Sequence, residues 1–202
     1  MRHLITTLAL PALAILAAPL VAQTPGRPDP KLITAGAYKV DPNHTQVTWS
    51  VNHLGFSVLS GQFGASGGQA VIDPARPAAS KIDVTFDVGA MSVTSAPFAT
   101  HLKSADFFDV AKHPTARFVS RSVAMRGTGG AITGDLTIKG ITRPVTLNAT
   151  FVGAGVNPRG GKTNFGFRAT GAIKRSDFGL GLAAPAVSDR VDLEVNAAFE
   201  AA

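Results

Sequence analysis

Apolar and polar residues alternate with a period of two along most of the chain beyond residue 38. Side chains alternate between the two faces of a strand, so this pattern predicts about eight to ten strands, each with one apolar face. No strand–helix–strand rhythm accompanies it, which favours an all-β, antiparallel sheet. The positions expected to face inward in the clearest stretches are Val47, Trp49, Val51 and His53; Ile82, Val84, Phe86 and Val88; Val145, Leu147, Ala149 and Phe151; Phe165, Phe167, Ala169 and Ile173; and Val191, Leu193, Val195, Ala197 and Phe199.

A sheet of this size has to close on itself or pair with a second sheet in order to cover its apolar face. The predicted strands are long, the stretch 54–68 is rich in glycine, and the chain contains no cysteine. These features favour a barrel of about eight strands, bent at its glycines, over an immunoglobulin-type sandwich. A barrel of that size is just wide enough to hold one small ligand.

The segment 96–118 breaks the alternation and predicts one short helix. Ser95 is suited to cap its first turn and Pro97 to occupy that turn. A single apolar helix among strands is expected to lie across the open end or along one wall of the barrel, near its mouth, where it controls access. The apolar side chains of this predicted lid are Phe98, Leu102, Phe107 and Phe108.

The first 22 residues predict a secretory signal peptide. Arg2 and His3 precede an uncharged apolar run, and a polar, proline-rich stretch follows Ala22, the expected cleavage site. The alternative is a retained membrane anchor, because the apolar run approaches ~20 residues. We expect a Pro/Gly linker at 23–36 and a barrel domain at 37–202.

Charge and composition narrow the classes of partner. The chain has 19 basic and 13 acidic residues, and removal of Arg2 with the leader leaves 18 against 13, a net +5. The basic residues are scattered and are not interleaved with aromatic ones, which argues against nucleic acid. They indicate either a solvated basic surface or attraction to anionic lipid head groups or a phosphate-bearing ligand. The 12 Phe, against one Trp and one Tyr, fit a packed core or an apolar cavity.

No catalytic motif is found, so we predict a protein that is not an enzyme and holds no metal or cofactor. The four histidines beyond the leader, His44, His53, His101 and His113, lack the spacing of metal ligands. His53 and His101 lie on apolar faces. Each is either a core histidine bonded to a backbone carbonyl or a polar group that meets the head group of a ligand at the cavity mouth.

Several stretches together resemble the YceI-like family of periplasmic polyisoprenoid-binding proteins. They follow one another in the family's order and span residues 38–199. Where the family often has Arg-Asp before its His-Leu-Lys-Ser segment, this chain has Phe98 and Ala99. The stretches are YKVDPNHTQVTWSVNHLGFS with GQFG, HLKSADFFD with HPTARFVS, GDLTIKGITRPVTL, and RSDFGLG with VSDRVDLEV.

The resemblance implies a lipocalin-like antiparallel barrel in the periplasm with an apolar tunnel that holds an isoprenoid chain, such as the tail of an isoprenoid quinone. It also implies, for some relatives, a role in stress responses or a membrane partner of the cytochrome b561 type, and it leaves a homodimer open. On this hypothesis the chain is a carrier or reservoir of isoprenoid lipid. The expected wall residues are Trp49, Val51, Phe56, Phe86, Phe118, Phe151, Phe167 and Phe199, with His53 and His101 as head-group contacts.

Two alternatives stay open at this point. One is a β-domain with a solid core whose basic surface binds a membrane partner. The other is an enzyme that acts on a lipophilic substrate through His53 or His101 with a carboxylate. The state of the interior separates the first from a carrier, because a filled barrel has no room for a lipid.

Overall fold

The computed structural model describes residues 24–202, and the predicted signal peptide lies outside them. Within that range ten strands and one α-helix follow one another along the chain, together with 3-10 turns at Pro30–Leu32, Pro77–Ala79 and Arg175–Phe178. The elements are β1 (Gly36–Val40), β2 (Gln46–His53), β3 (Ser57–Ile72), β4 (Lys81–Asp87), β5 (Ser92–Val93), α1 (Ala96–Lys103), β6 (Thr115–Arg126), β7 (Gly129–Ile138), β8 (Ile141–Val156), β9 (Thr163–Lys174) and β10 (Arg190–Ala201).

Eight of the strands form a closed antiparallel barrel. Its order is β2-β3-β4-β6-β7-β8-β9-β10, and β10 pairs with β2 to close the ring. Leu193 of β10 lies opposite Gly171 of β9 on one side and Trp49 of β2 on the other. The all-β, antiparallel barrel of about eight strands predicted from the alternation is therefore confirmed.

The connections divide between two ends of the barrel. We call the end that carries α1, the β2–β3 and β7–β8 hairpins and the β9–β10 connection the mouth. The opposite end, which carries the β3–β4 connection, the β6–β7 hairpin and the β8–β9 loop, is the base. This arrangement puts the lid predicted from segment 96–118 at the mouth.

The glycine-rich part of β3 bends as its sequence predicts. The register between β3 and β4 shifts between Ala65 and Gly67, which marks an irregularity of the β-bulge type. Earlier in β3, a Cβ on Gly61 would lie 2.6 Å from the indole Cε2 of Trp49. Only glycine leaves room for the indole here, so Gly61 fixes where Trp49 lies on the inner wall.

Residues 27–36 are part of the folded domain, which corrects the predicted linker at 23–36. Arg27 and Ala154 of β8 exchange two backbone hydrogen bonds of 2.9 Å. Leu32 and Ile33 then pack against the apolar core at the base.

Candidate ligand tunnel

Helix α1 forms for the local reasons that its sequence indicates. Ser95 is the N-cap, and its hydroxyl accepts a hydrogen bond from the Phe98 N–H at 3.4 Å. Leu102 is the buried residue of the helix and points toward the barrel interior. The chain then turns back, because the Phe108 N–H donates to the Leu102 carbonyl at 3.0 Å. This return brings a second apolar residue, Phe107, beneath the helix.

Three apolar cavities follow the barrel axis. The mouth chamber has a volume of about 550 Å³, the central channel about 130 Å³ and the base pocket about 290 Å³. The central channel is lined by apolar side chains except for Thr45. The base pocket lies beneath the segment 30–33 and the β3–β4 connection. The interior of the barrel is therefore open, and its middle offers almost no hydrogen-bonding group.

Shared lining residues place these cavities next to one another along the barrel interior. Ile82, Ile132 and Phe167 line both the central channel and the base pocket. The residues common to the mouth chamber and the central channel are Trp49, Phe63, Phe108, Ile138, Ile173 and Leu193. We call the three cavities together the tunnel.

Most of the residues predicted for the wall and the lid line this tunnel. Phe86, Phe118 and Phe199 line the central channel, and Phe151 lines the base pocket. Phe167 connects the two, and its ring centroid lies 5.5 Å from that of Phe151. The predicted residues that line the mouth chamber are Trp49, Val51, His53, Phe98, His101, Leu102, Phe107 and Phe108.

Phe56 does not line the tunnel, which corrects its prediction as a wall residue. Its side chain is 89% exposed. His53 pairs with Ser57, so Phe56 lies in the turn between β2 and β3 rather than in a strand. Leu54 and Gly55 adopt positive φ angles of 59° and 74° in this turn. The alternation of inward and outward side chains stops at such a turn and does not place the residues within it.

His53 and His101 both reach the mouth chamber. His53, the last residue of β2, is half-buried and pairs with Val187 of the β9–β10 connection. His101 is exposed, and its ring packs edge-on against Phe107 with centroids 4.8 Å apart. Phe98, which stands where the family often has Arg, adds an apolar wall to the same chamber.

Arg175 is a site residue that the sequence did not reveal. It lines the mouth chamber and is buried, and burial lowers the pKa of its guanidinium while nearby Asp189 opposes that effect. Its nitrogens donate to the carbonyls of Ser188 at 2.9 Å, Val187 at 2.8 Å and Leu182 at 2.7 Å, and also to that of Leu180. Arg175 thereby holds the β9–β10 connection in place as one wall of the mouth.

Trp49 carries a buried hydrogen-bond donor that has no partner in the described chain. Its side chain lines both cavities. The indole Nε1 is buried and finds no acceptor among residues 24–202. A buried N–H without a partner costs about 1–3 kcal/mol of stability.

Titratable groups give no sign of a catalytic or metal centre in the described chain. Residues 24–202 contain no cluster of three or more His, Cys, Asp or Glu side chains that could hold a metal ion. Neither the His53 nor the His101 ring hydrogen-bonds to a carboxylate within that range. Asp83 and Glu194 lie away from the tunnel. Hydrogen bonds from Arg117 lower the pKa of Asp83, and a hydrogen bond from Arg168 lowers the pKa of Glu194.

A closed antiparallel barrel with a capping helix and an open apolar interior defines the class of this protein. The chain belongs to the YceI-like family, since the YceI-like domain matches residues 38–199. Protein YceI of Escherichia coli is 42% identical over 164 residues, covering 80% of this chain and 85% of that protein. A UPF0312 protein of Pseudomonas putida is 42% identical over 165 residues with the same coverage.

Solved structures share the barrel. BcnA of Burkholderia cenocepacia superposes with a TM-score of 0.67 at 26% identity, covering 79% of this chain and 98% of that one. The YCEI protein of Campylobacter jejuni gives 0.66 at 29% identity, covering 75% and 90%. A polyisoprenoid-binding domain from Saccharophagus degradans gives 0.59 at 13% identity, covering 84% and 100%, and at that identity it shows the fold alone.

Within residues 24–202, no helix combines the length and the apolar character that crossing a membrane takes.

Proposed function

We propose that this chain is an exported, periplasmic lipid-binding protein that holds an isoprenoid chain in its tunnel, as a carrier or a reservoir. The observation that carries the proposal is the run of adjacent cavities inside the barrel, with an apolar middle and a wider chamber that has polar side chains in its wall. The fold shared with the polyisoprenoid-binding domain of Saccharophagus degradans supports the ligand class by analogy. Export rests on the predicted signal peptide at 1–22.

The central channel matches the chemistry of a prenyl tail. A prenyl tail is a branched hydrocarbon without hydrogen-bonding groups, and the channel lining is apolar except for Thr45. Burying ~20 carbons at about 0.8 kcal/mol per CH₂ gives on the order of 16 kcal/mol gross. Immobilisation of ligand and protein opposes that gain, and a bilayer buries the same tail comparably well. The tail can therefore move between the protein and a membrane.

The mouth chamber matches a head group that carries oxygen. His53 and His101 line this chamber, and their imidazole rings can donate hydrogen bonds. A quinone carbonyl accepts hydrogen bonds, as do the oxygens of a polyprenyl phosphate. These groups favour an isoprenoid quinone or a polyprenyl compound over a plain hydrocarbon, with its head toward the mouth and its tail toward the base.

The open interior argues against an interaction domain with a solid core, since the tunnel occupies the space that such a core would fill. A stress-related role, a homodimer and a cytochrome b561-type membrane partner stay predictions from the family resemblance.

Native mass spectrometry of the protein purified without added lipid tests the proposal, followed by organic extraction of the bound material. We expect one molecule of a compound with prenyl-repeat mass per chain. A Phe167→Asp variant that stays folded should carry none, because its carboxylate would lie between the central channel and the base pocket. A wild-type protein that stays empty after incubation with ubiquinone and with polyprenyl phosphate would refute the proposal.

A further inference from the structure

Two neighbouring loops at the mouth expose apolar side chains to water. They are residues 54–58 of the β2–β3 hairpin and residues 182–186 of the β9–β10 connection, and all of them are exposed and uncharged. Phe56 is 89% exposed and Val58 67%. The loops are joined, because the Leu54 N–H donates to the Ala186 carbonyl at 2.9 Å. We call this surface the apolar rim.

The apolar rim continues into the tunnel. Leu182 is 50% exposed and also lines the mouth chamber, as does its neighbour Ala183. Leu54 and Gly55 form the turn itself, and both adopt positive φ angles. Neither the turn nor the core requires a phenyl ring at Phe56, which is exposed to solvent. Exposed apolar surface that is contiguous with a cavity mouth marks an interaction site.

Unpaired charges of both signs surround the apolar rim at the mouth. Lys103 is the last residue of α1, Lys139 lies in the β7–β8 hairpin, and Lys174 is the last residue of β9. Within residues 24–202 none of the three forms an ion pair. The carboxylates at the mouth that form no ion pair in the described chain are Asp87, Asp106, Asp177 and Asp189. Arg143 and the buried Arg175 also lie at this end without an ion pair, so five cations stand against four carboxylates. An anionic surface therefore meets a net charge of about +1 around an apolar centre, and burial of the apolar side chains is the main attraction.

We propose that the apolar rim docks on an anionic phospholipid bilayer and inserts its side chains among the lipids, so that the mouth opens toward the membrane. This inference rests on the proposed function, because the membrane is where a water-insoluble prenyl chain is found. Binding of this kind combines burial of apolar side chains at the head-group boundary with attraction between lysines and anionic lipids. An isoprenoid then passes between bilayer and tunnel without crossing water.

The chemistry of the apolar rim favours lipid over a protein partner. Protein interfaces carry about one hydrogen bond per 100–200 Å² together with aromatic and arginine anchors. Ser57 provides the only side-chain hydrogen-bonding group of the rim. The other side chains are aliphatic or Phe, and they need no specific partner.

Sedimentation with vesicles tests the inference on the purified full chain. The vesicles contain phosphatidylethanolamine with phosphatidylglycerol, and a second set contains phosphatidylcholine alone. We expect the wild type to bind the anionic set and Val58→Asp to lower its partition coefficient at least about ten-fold. The matched control is Val152→Asp, since Val152 is 60% exposed on β8 near the base, and it should stay within about two-fold of wild type. Phe56→Ser provides a second rim variant without added charge.

Three results would overturn the inference. They are a wild type that does not sediment with lipid vesicles, equal losses for Val58→Asp and Val152→Asp, and binding only to native membranes in a manner abolished by protease. The last would assign the rim to a membrane protein. Circular dichroism establishes that each variant is folded.

A second readout separates this inference from the proposed function. Loading of ubiquinone from vesicles should slow at least about ten-fold in Val58→Asp, while loading from detergent still reaches one quinone per chain. If the wild type takes no quinone from detergent, the proposed function fails. The sedimentation result still decides whether the apolar rim binds lipid.

Discussion

The smallest part of the tunnel can be closed by one side chain. The central channel has a volume of about 130 Å³, and Ala197 of β10 lines it. Ala197 lies directly opposite Phe167 of β9 in the strand register. The substitution Ala197→Phe therefore places a second phenyl ring beside the first, within the channel itself.

The effects of this plug on stability and on binding should differ. A buried phenyl ring contributes about 1.5–3 kcal/mol, and strain from an imperfect fit costs about 1–3 kcal/mol. The free energy of unfolding should therefore change by no more than about 1–2 kcal/mol. Each isoprene unit kept out of the channel forfeits about 4 kcal/mol of gross burial, from five carbons at about 0.8 kcal/mol each. If half of that survives the binding costs, affinity falls about thirty-fold per excluded unit.

Trp49 provides the assay, because it is the single tryptophan of the chain and lines the tunnel. A bound quinone should quench its fluorescence. We would titrate ubiquinone homologues that differ in the number of isoprene units. Wild-type affinity should rise with tail length, whereas that of Ala197→Phe should stop rising once the mouth chamber is full.

The matched control is Ala172→Phe, because Ala172 lies on the neighbouring strand β9 and lines a groove on the outer surface. It should bind every homologue as the wild type does. If the affinity of folded Ala197→Phe rises with tail length as steeply as that of wild type, the tail does not pass through the central channel.

Three further predictions concern the walls of the mouth. Arg175→Met leaves four carbonyls, one buried and three partly buried, without their arginine donor. It should therefore lower the free energy of unfolding by about 3–5 kcal/mol in a denaturant titration, more than Arg175→Lys does. Gly61→Ala forces the Trp49 indole to move, which should cost about 1–3 kcal/mol and shift the Trp49 emission, and an unshifted spectrum would contradict the contact. The pKa of Asp189 lies below its ordinary 3.8 because the Ser176 hydroxyl and N–H donate hydrogen bonds to the carboxylate. The ionised Asp189 therefore stabilises the fold above pH 3.8, and this stabilisation is lost as pH falls through the lowered pKa. Melting temperature should therefore drop less between neutral and acid pH in Asp189→Asn than in wild type.

The strands and the lid could be predicted because the relevant contacts are local. Alternation assigns Ile82, Val84 and Phe86 to one face whatever they meet across the barrel, and these residues do line the central channel. Ser95 and Pro97 likewise start α1 through hydrogen bonds and backbone angles within one turn. Local rules of this kind do not depend on the rest of the fold.

The errors arise where the chain depends on distant backbone. Phe56 lies in a turn, and the alternation of side chains does not define how long a turn is. The inward or outward direction of Phe56 therefore could not be extended from β2. Arg175 is buried where it donates to carbonyls of the irregular β9–β10 connection. Every residue has a backbone carbonyl, so no sequence pattern marks the ones that Arg175 meets. Residues 27–36 lie on the barrel because Gly155 leaves space where a Cβ would collide with the carbonyl of Pro25. Each of these contacts becomes visible only when separate segments are brought together.

The hydrogen bonding of the two ends indicates which one admits a ligand. At the base, β1 pairs with both β10 and β3, and Arg27 pairs with Ala154, so opening that end breaks ladder hydrogen bonds. At the mouth, residues 95–110 hydrogen-bond mainly among themselves, and the bond to another part of the described barrel is the one from Lys139 Nζ to the Ala105 carbonyl. Segments with few such bonds open at the lowest free energy. The hydrogen bonding therefore favours opening at the lid over opening at the base, and the lid lies at the same end as the apolar rim.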